Sequence, residues 1–296
     1  MNEESIKIGD YRVIKKLGEG NMGVVYLAVK ESEDMPYAIK VSYGACGSPV
    51  RQALKQEAEV LKSLKDSRFP AFYGYEETKE LAYLVMEYIP GENLLTVIAK
   101  KGETICSMRF LQELVDLLWQ LHSHRPPIVY RDLKPANLIV EPSGKLRMID
   151  FGTAIIQGAS GTDANAERVA GTYGYAAPEQ RLGKQADLRS DIYAIGAIIS
   201  YLYTGTSPEL PPFEIDTNLS NKNLKEIVRR CIQENPDERF QNAGDLLMDI
   251  MKVKDTEDKK KGLFTRGERN GEKINRYIKK REWNIMRSEK QFLGLW

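Results

Sequence analysis

Tyr130-Arg-Asp-Leu-Lys-Pro-Ala-Asn137 gathers a carboxylate, two cations and a carboxamide into one short stretch, and the patterns on either side of it differ in kind. Upstream, Phe110 to His122 carries apolar residues at helical spacing. Downstream come two short β-like pieces, around Leu138 to Val140 and Leu146 to Ile149, and then Asp150-Phe-Gly152. So polar a stretch between apolar elements reads as a loop that presents side chains, not one that packs them.

Further out, the chain divides into two parts. Up to about Tyr88 the signals are strand-like: Tyr11 to Leu17, Val24 to Val29, Tyr37 to Val41 and Leu81 to Glu87 are short runs rich in Val, Ile and Tyr. One helix interrupts them, from about Val50 to Leu64, with Leu54, Ala58, Leu61 and Leu64 on one face. After Pro90-Gly91 the signals become helical, at Leu94 to Lys100, Phe110 to His122, Asp191 to Tyr203 and Leu224 to Glu234. The expectation is an α+β, two-lobed chain. Its β-rich N-lobe covers residues 1–88, a mainly helical C-lobe covers 89–254, and a basic, partly helical tail covers 255–296. The stretch from Asp255 to Asn270 reads as a linker or frayed helix, and Gln157 to Ala166 as a loop.

The chain has 296 residues, 42% hydrophobic and 29% charged, with a formal net charge of +1. That balance is ordinary for a soluble globular protein and gives no reason to expect nucleic acid. It conceals a basic C-terminus, since residues 252–296 hold 14 Lys/Arg against 7 Asp/Glu. A solvated helix explains such a run; contact with an acidic partner or lipid surface is the alternative. Cys46, Cys106 and Cys231 are scattered, which favours free thiols in a reducing compartment. His122 and His124 read as surface or helix-end residues, not metal ligands. The N-terminus has no apolar run, and the uncharged stretch Ile192 to Pro208 is too short and too interrupted to span a bilayer. It reads as a buried helix ending near Gly205, and the expected location is cytoplasmic.

Gly18-Glu-Gly-Asn-Met-Gly-Val-Val25 is the first ligand signal. Glycines let a backbone approach phosphates closely. The same spacing marks dinucleotide-binding folds, but there it opens a helix, whereas here Val-Val-Tyr-Leu-Ala-Val continues as a strand. In Tyr37-Ala-Ile-Lys40-Val41 a lysine lies within an apolar strand, where burial demands an anion. A nucleotide phosphate and a helix carboxylate would both serve. Glu57 lies in the frame of the buried helix stripe and is the expected partner, with Glu59 as the alternative.

Taken in order with Ala177-Pro-Glu179, these tracts resemble the signature set of eukaryotic-like (Hanks-type) protein serine/threonine kinases, in their bacterial branch. The resemblance covers about Ile8 to Ile250. It implies ATP as phosphoryl donor, Mg²⁺ as metal (with Mn²⁺ as a substitute) and proteins bearing Ser or Thr as substrates. Asp132 would take or orient the substrate hydroxyl proton, and Lys134 would stabilise the transferring phosphoryl group. Asn137 and Asp150 would ligate the metal, and Lys40 would hold the phosphates while paired to Glu57. Gly18, Glu19, Gly20 and Gly23 would cover the phosphates. Met86 would lie behind the adenine, the backbone of Glu87 to Ile89 would bond it, and Val25, Ala38 and Leu138 (or Ile139) would sandwich it. Asp191 resembles the anchor of the catalytic loop, and Glu179 with Arg239 resembles a buried ion pair.

Tyr130 departs from the family's usual His, a change an aromatic ring can absorb by packing. Lys134 and Thr172 follow the serine/threonine pattern rather than the tyrosine one. Arg131 resembles an arginine that receives an activation-segment phosphate, with Ser160 and Thr162 as expected acceptors and Thr172 as a weaker one. Autophosphorylation through self-association is the expected switch. Many family members continue through a membrane helix to an outer sensor; this chain is expected to be a soluble kinase, whole or ending before such a span. Two other readings are a catalytically inactive pseudokinase scaffold, which would lack Lys40, Asp132 or Asp150, and a small-molecule phosphotransferase, which would lack the Thr172 to Glu179 segment.

Overall fold

The computed structural model describes residues 6–260 apart from 21, 31, 34, 102–106, 159–170, 209–218 and 220. The chain forms two compact units. One comprises residues up to Glu92 together with Leu138–Ala154, and the other Asn93–Asn137 together with residues from Ile155 on.

In the first unit, strands β1 (Lys7–Ile8), β2 (Tyr11–Gly20), β3 (Gly23–Lys30), β4 (Pro36–Ser42), β5 (Phe72–Glu77) and β6 (Ala82–Glu87) form one sheet in the order β1-β2-β3-β4-β6-β5. Every neighbouring pair is antiparallel. Tyr37, Ile39 and Val41 of β4 join Ile8, Ala28, Tyr83 and Val85 in a packed cluster. Side chains alternate along a strand, so Ala38 and Lys40 point to the opposite face. Helix α1 (Pro49–Ser63) starts at Ser48, whose hydroxyl caps the Arg51 N–H, with Pro49 in the first turn. It buries Leu54, Glu57, Ala58 and Leu61, the row that i, i+3 and i+4 spacing puts on one face. Strand β5 was not expected. Its Gly74 and two glutamates weaken the strand signal, and pairing with β6 supplies what propensity lacks.

Where the chain leaves this unit it makes the short strand β7 (Glu92–Asn93). The second unit contains helices α2 (Leu94–Lys101) and α3 (Met108–His122), and the paired strands β8 (Ile128–Val129) and, further on, Ile155–Ile156. Between those two strands the chain returns to the first unit as the antiparallel pair β9 (Leu138–Val140) and β10 (Leu146–Met148). The strand Ile155–Ile156 is thus β11 in chain order. Then come α4 (Pro178–Arg181), α5 (Leu188–Thr204), α6 (Lys222–Cys231) and α7 (Ala243–Lys260). Ile192 to Ile199 of α5 are all buried. An Asp187/Ser190 capping box starts that helix, and Gly205, in the left-handed conformation at φ +69°, ends it. Helix α7 packs on α3. Its helical backbone runs through Lys260, across the first part of the stretch expected to be a linker or a frayed helix. The rest of the expected basic tail, residues 261–296, lies outside the described residues. Together the elements make a mixed α+β fold.

Candidate active site

The expected site residues fall into two clusters, one in each unit. In the first, Lys40 Nζ lies 2.7 Å from Glu57 Oε2 and 2.7 Å from Asp150 Oδ1. Lys40 and Glu57 are 5% and 1% exposed, so each charge depends on the other. Burial alone would pull the lysine pKa down; Glu57 and Asp150 outweigh it and hold the ammonium above its ordinary value. The other oxygen of Glu57 accepts the Phe151 N–H at 3.1 Å, which fixes α1 against the Asp150-Phe-Gly152 tract. Gln56, one residue earlier, donates to the Ala154 carbonyl at 3.1 Å. Asp150 has φ +64°, a left-handed conformation that a non-glycine residue keeps only where its surroundings enforce it. Glu59, the alternative partner of Lys40, is exposed.

The glycine-rich tract forms the β2–β3 hairpin, with Gly20 opposite Gly23. Gly23, at φ +132°, has the Val41 carbonyl oxygen 2.1 Å from where a Cβ would sit, so glycine is required by the fold there. At Gly18 and Gly20 an added Cβ would meet nothing within 4 Å. Glu19 is exposed, its carboxylate against Lys16. Val25 faces Lys40 in the β3–β4 register, and Ala38 faces Met86 in the β4–β6 register. Met86, Ile89 and Leu138 are buried.

In the second unit, both carboxylate oxygens of Asp132 are engaged. Lys134 Nζ lies 2.8 Å from Oδ2, the Thr172 hydroxyl donates to Oδ1 at 2.8 Å, and Lys134 Nζ reaches that hydroxyl oxygen at 2.7 Å. Asn137 donates its amide to the Asp132 carbonyl at 2.9 Å, which leaves its oxygen as the end available to a cation. Asp191 takes the backbone N–H groups of Tyr130 and Arg131, each at 2.8 Å. It therefore clamps the loop immediately before Asp132, where Arg131 has φ +68°. Tyr130 is fully buried. Arg131 is 8% exposed; burial pushes its guanidinium pKa down, and Asp191 opposes that. Glu179 pairs with Arg239 through two bonds, at 2.8 and 2.9 Å, and takes the Ser190 hydroxyl at 2.7 Å. Ser160 and Thr162 lie outside the described residues.

The model of the protein kinase domain matches residues 11–260. The chain belongs to the protein kinase domain family. Among curated relatives, a serine/threonine-protein kinase of Streptomyces coelicolor, described as probable, is 32% identical over 82% of this chain and 39% of its own length. Serine/threonine-protein kinase PrkC of Bacillus subtilis is 28% identical over 87% of this chain and 42% of its own. PknB of Mycolicibacterium smegmatis is 28% identical over 82% and 43%. The kinase domain described here thus spans about two fifths of the relatives it matches.

Sequence reasoning missed two polar residues of the kinase domain and did not foresee the burial of a third. His122, expected at the surface or at a helix end, does end α3 but is buried at 6% exposure. Its Nδ1 accepts the Ala243 N–H at 3.2 Å, so its proton sits on Nε2, 3.2 Å from Asp191 Oδ2. A histidine at the last turn of an amphipathic helix gives no sign of such partners. Gln180 is also buried; it accepts the Ala177 N–H at 3.0 Å and donates to the Arg131 carbonyl at 2.8 Å. Arg147, 5% exposed on β10, reaches Glu87 at 2.7 Å and Glu141 at 2.8 Å. The alternation of β10 was the available signal, since it turns Arg147 opposite to Leu146 and Met148.

Proposed function

We propose that this kinase domain transfers the γ-phosphoryl group of ATP to Ser or Thr hydroxyls of proteins. The observation that carries the reading is the closed triangle of Asp132, Lys134 and Thr172. It presents a carboxylate that can take a hydroxyl proton beside a cation that can meet developing phosphoryl charge. Lys40 holds the phosphates, and Glu57 keeps the lysine in place. The adenine lies among Val25, Ala38, Met86 and Leu138, and the backbone from Glu87 to Ile89 reads its edge. At Gly18 and Gly20 the fold makes no use of the missing side chains, which suits a backbone approached by phosphate.

Asp150 of the first unit and the Asn137 carboxamide oxygen of the second are each the kind of hard oxygen donor that Mg²⁺ prefers and Mn²⁺ also accepts. A metal held by such donors would neutralise charge on the phosphates. Lys134 together with Thr172 favours Ser/Thr over Tyr acceptors. Arg131, buried and beside the catalytic carboxylate, suits a phosphate added within the activation segment, at Ser160 or Thr162, by a second copy of the chain. No helix among the described residues is long and apolar enough to cross a membrane. Cys46 and Cys231 are free thiols, which suits the cytoplasm as the working compartment. The pseudokinase reading gains no support, since Lys40, Asp132 and Asp150 are all present.

Labelled ATP offered with Mg²⁺, a casein-like protein and a panel of small alcohols tests the proposal. Label on protein Ser/Thr, including the chain itself, supports it. Label confined to small alcohols, or none at all, overturns it.

A further inference from the structure

We propose that Arg147 is a positioning residue for the base of the nucleotide, acting through the side chain of Glu87. The inference rests on the kinase reading above, in which the backbone from Glu87 to Ile89 bonds adenine.

Arg147 projects from β10 with its guanidinium buried. Nη2 lies 2.7 Å from Glu87 Oε2 and donates to the Phe69 carbonyl at 3.3 Å, while Nη1 lies 2.8 Å from Glu141 Oε1. Glu87 ends β6 and is held a second way. Its N–H donates to the Ala71 carbonyl at 2.9 Å, and its carboxylate accepts the Ala71 N–H at 3.1 Å. The turn that supplies Phe69 and Ala71 is itself fixed. Arg68 is bound by Asp66 at 2.7 and 2.8 Å, and its carbonyl takes the Met148 N–H of β10 at 3.1 Å. One guanidinium thus joins the end of β6, this turn and the segment after β9, all within the first unit.

Stability alone explains this poorly. A buried cation between two carboxylates carries a desolvation cost that an apolar side chain of similar volume avoids. Arg147 Nε also has no hydrogen-bond partner among the described residues, a further cost. What the fork provides is a fixed point at Glu87, one residue after Met86 and at the start of the backbone assigned to adenine. Letting that point drift would move the groups that read the base, and the phosphate-holding Lys40–Glu57 pair would stay where it is.

Binding of MgATP and of base-free magnesium tripolyphosphate to the full chain separates positioning from general loosening. Arg147→Gln and Glu87→Gln should each weaken MgATP about tenfold, the scale of a small misplacement at a binding group, and leave tripolyphosphate affinity as in the wild type. The KM for ATP should rise by more than kcat falls. Arg147→Lys should recover part of the loss, because it keeps the charge on Glu87 and lacks the second arm of the fork. If Arg147→Gln fails to fold, the isosteric Glu87→Gln carries the same test. An unchanged ratio of ATP to tripolyphosphate affinity in the folded variants overturns the inference. A wild-type chain that transfers no phosphate from ATP to protein would instead overturn the kinase reading on which it rests.

Discussion

At the scale of single residues, the glycines show how far sequence can go. The spacing of Gly18, Gly20 and Gly23 suits the phosphate loop proposed above but does not say which glycine the fold requires and which it leaves open to a ligand. Geometry separates them: Gly23 has a backbone oxygen where its Cβ would be, and Gly18 has open space. Gly23→Ala should therefore cost roughly 1–3 kcal/mol in denaturant melts. Gly18→Ala should stay within about 0.5 kcal/mol of wild type, as surface substitutions do, while weakening MgATP binding. Thr172 allows a second test. Its hydroxyl holds Asp132 Oδ1, so Thr172→Ala should lower kcat by about ten- to a hundredfold, with MgATP affinity retained and Ser restoring the rate. Steady-state kinetics with a protein acceptor checks both halves of that statement.

At the scale of elements, the Glu179–Arg239 pair joins the start of α4 to the segment ahead of α7. Arg239 is 1% exposed and also bonds the carbonyls of Gln233 at 2.7 Å and Glu234 at 3.0 Å. Arg239→Met strands a buried carboxylate, and urea melts should show a loss of about 3–5 kcal/mol. Burial would raise the Glu179 pKa, but its bonds from Arg239 and Ser190 outweigh that and hold it below the ordinary carboxylate value. A depressed folded pKa gives stability that is present above the unfolded value, about 4.3, and is lost as pH falls through the folded one. Glu179→Gln should thus be less stable than wild type at pH 7, with the gap narrowing below about pH 4.3.

Elements with one clear period were legible: α1, α5 and strands β2, β3, β4 and β6 follow from apolar spacing. Strand β5 was not, because Gly74 and its glutamates read as a turn. Helix α7 was missed because its later half is polar, and packing of its first half on α3 carries it.

At the scale of the molecule, the candidate site was legible where several residue types recur at fixed spacing and illegible where a lone residue does the holding. Asp132, Lys134 and Asn137 announce themselves together. His122, Gln180 and Arg147 are single polar residues inside ordinary helices and strands, and only tertiary partners give them meaning. The same contrast explains the choice of Glu57 over Glu59: helix frame decided it, and the structure puts Glu57 on the buried face. A nucleotide that binds the folded chain alone should stabilise it. A non-hydrolysable MgATP analogue at a hundred times its Kd should add about 2.7 kcal/mol. In a thermal melt that is a rise of roughly 4–5 °C for a chain of this size, and Lys40→Met should abolish it.

The most direct measurement compares ATP-dependent phosphate incorporation into protein by the wild-type chain and by Asp132→Asn, with MgATP binding as a check on folding. The variant should still bind MgATP while its transfer rate falls by about 10²–10⁴, the scale of a lost general base. Equal rates in the two proteins would contradict the kinase reading.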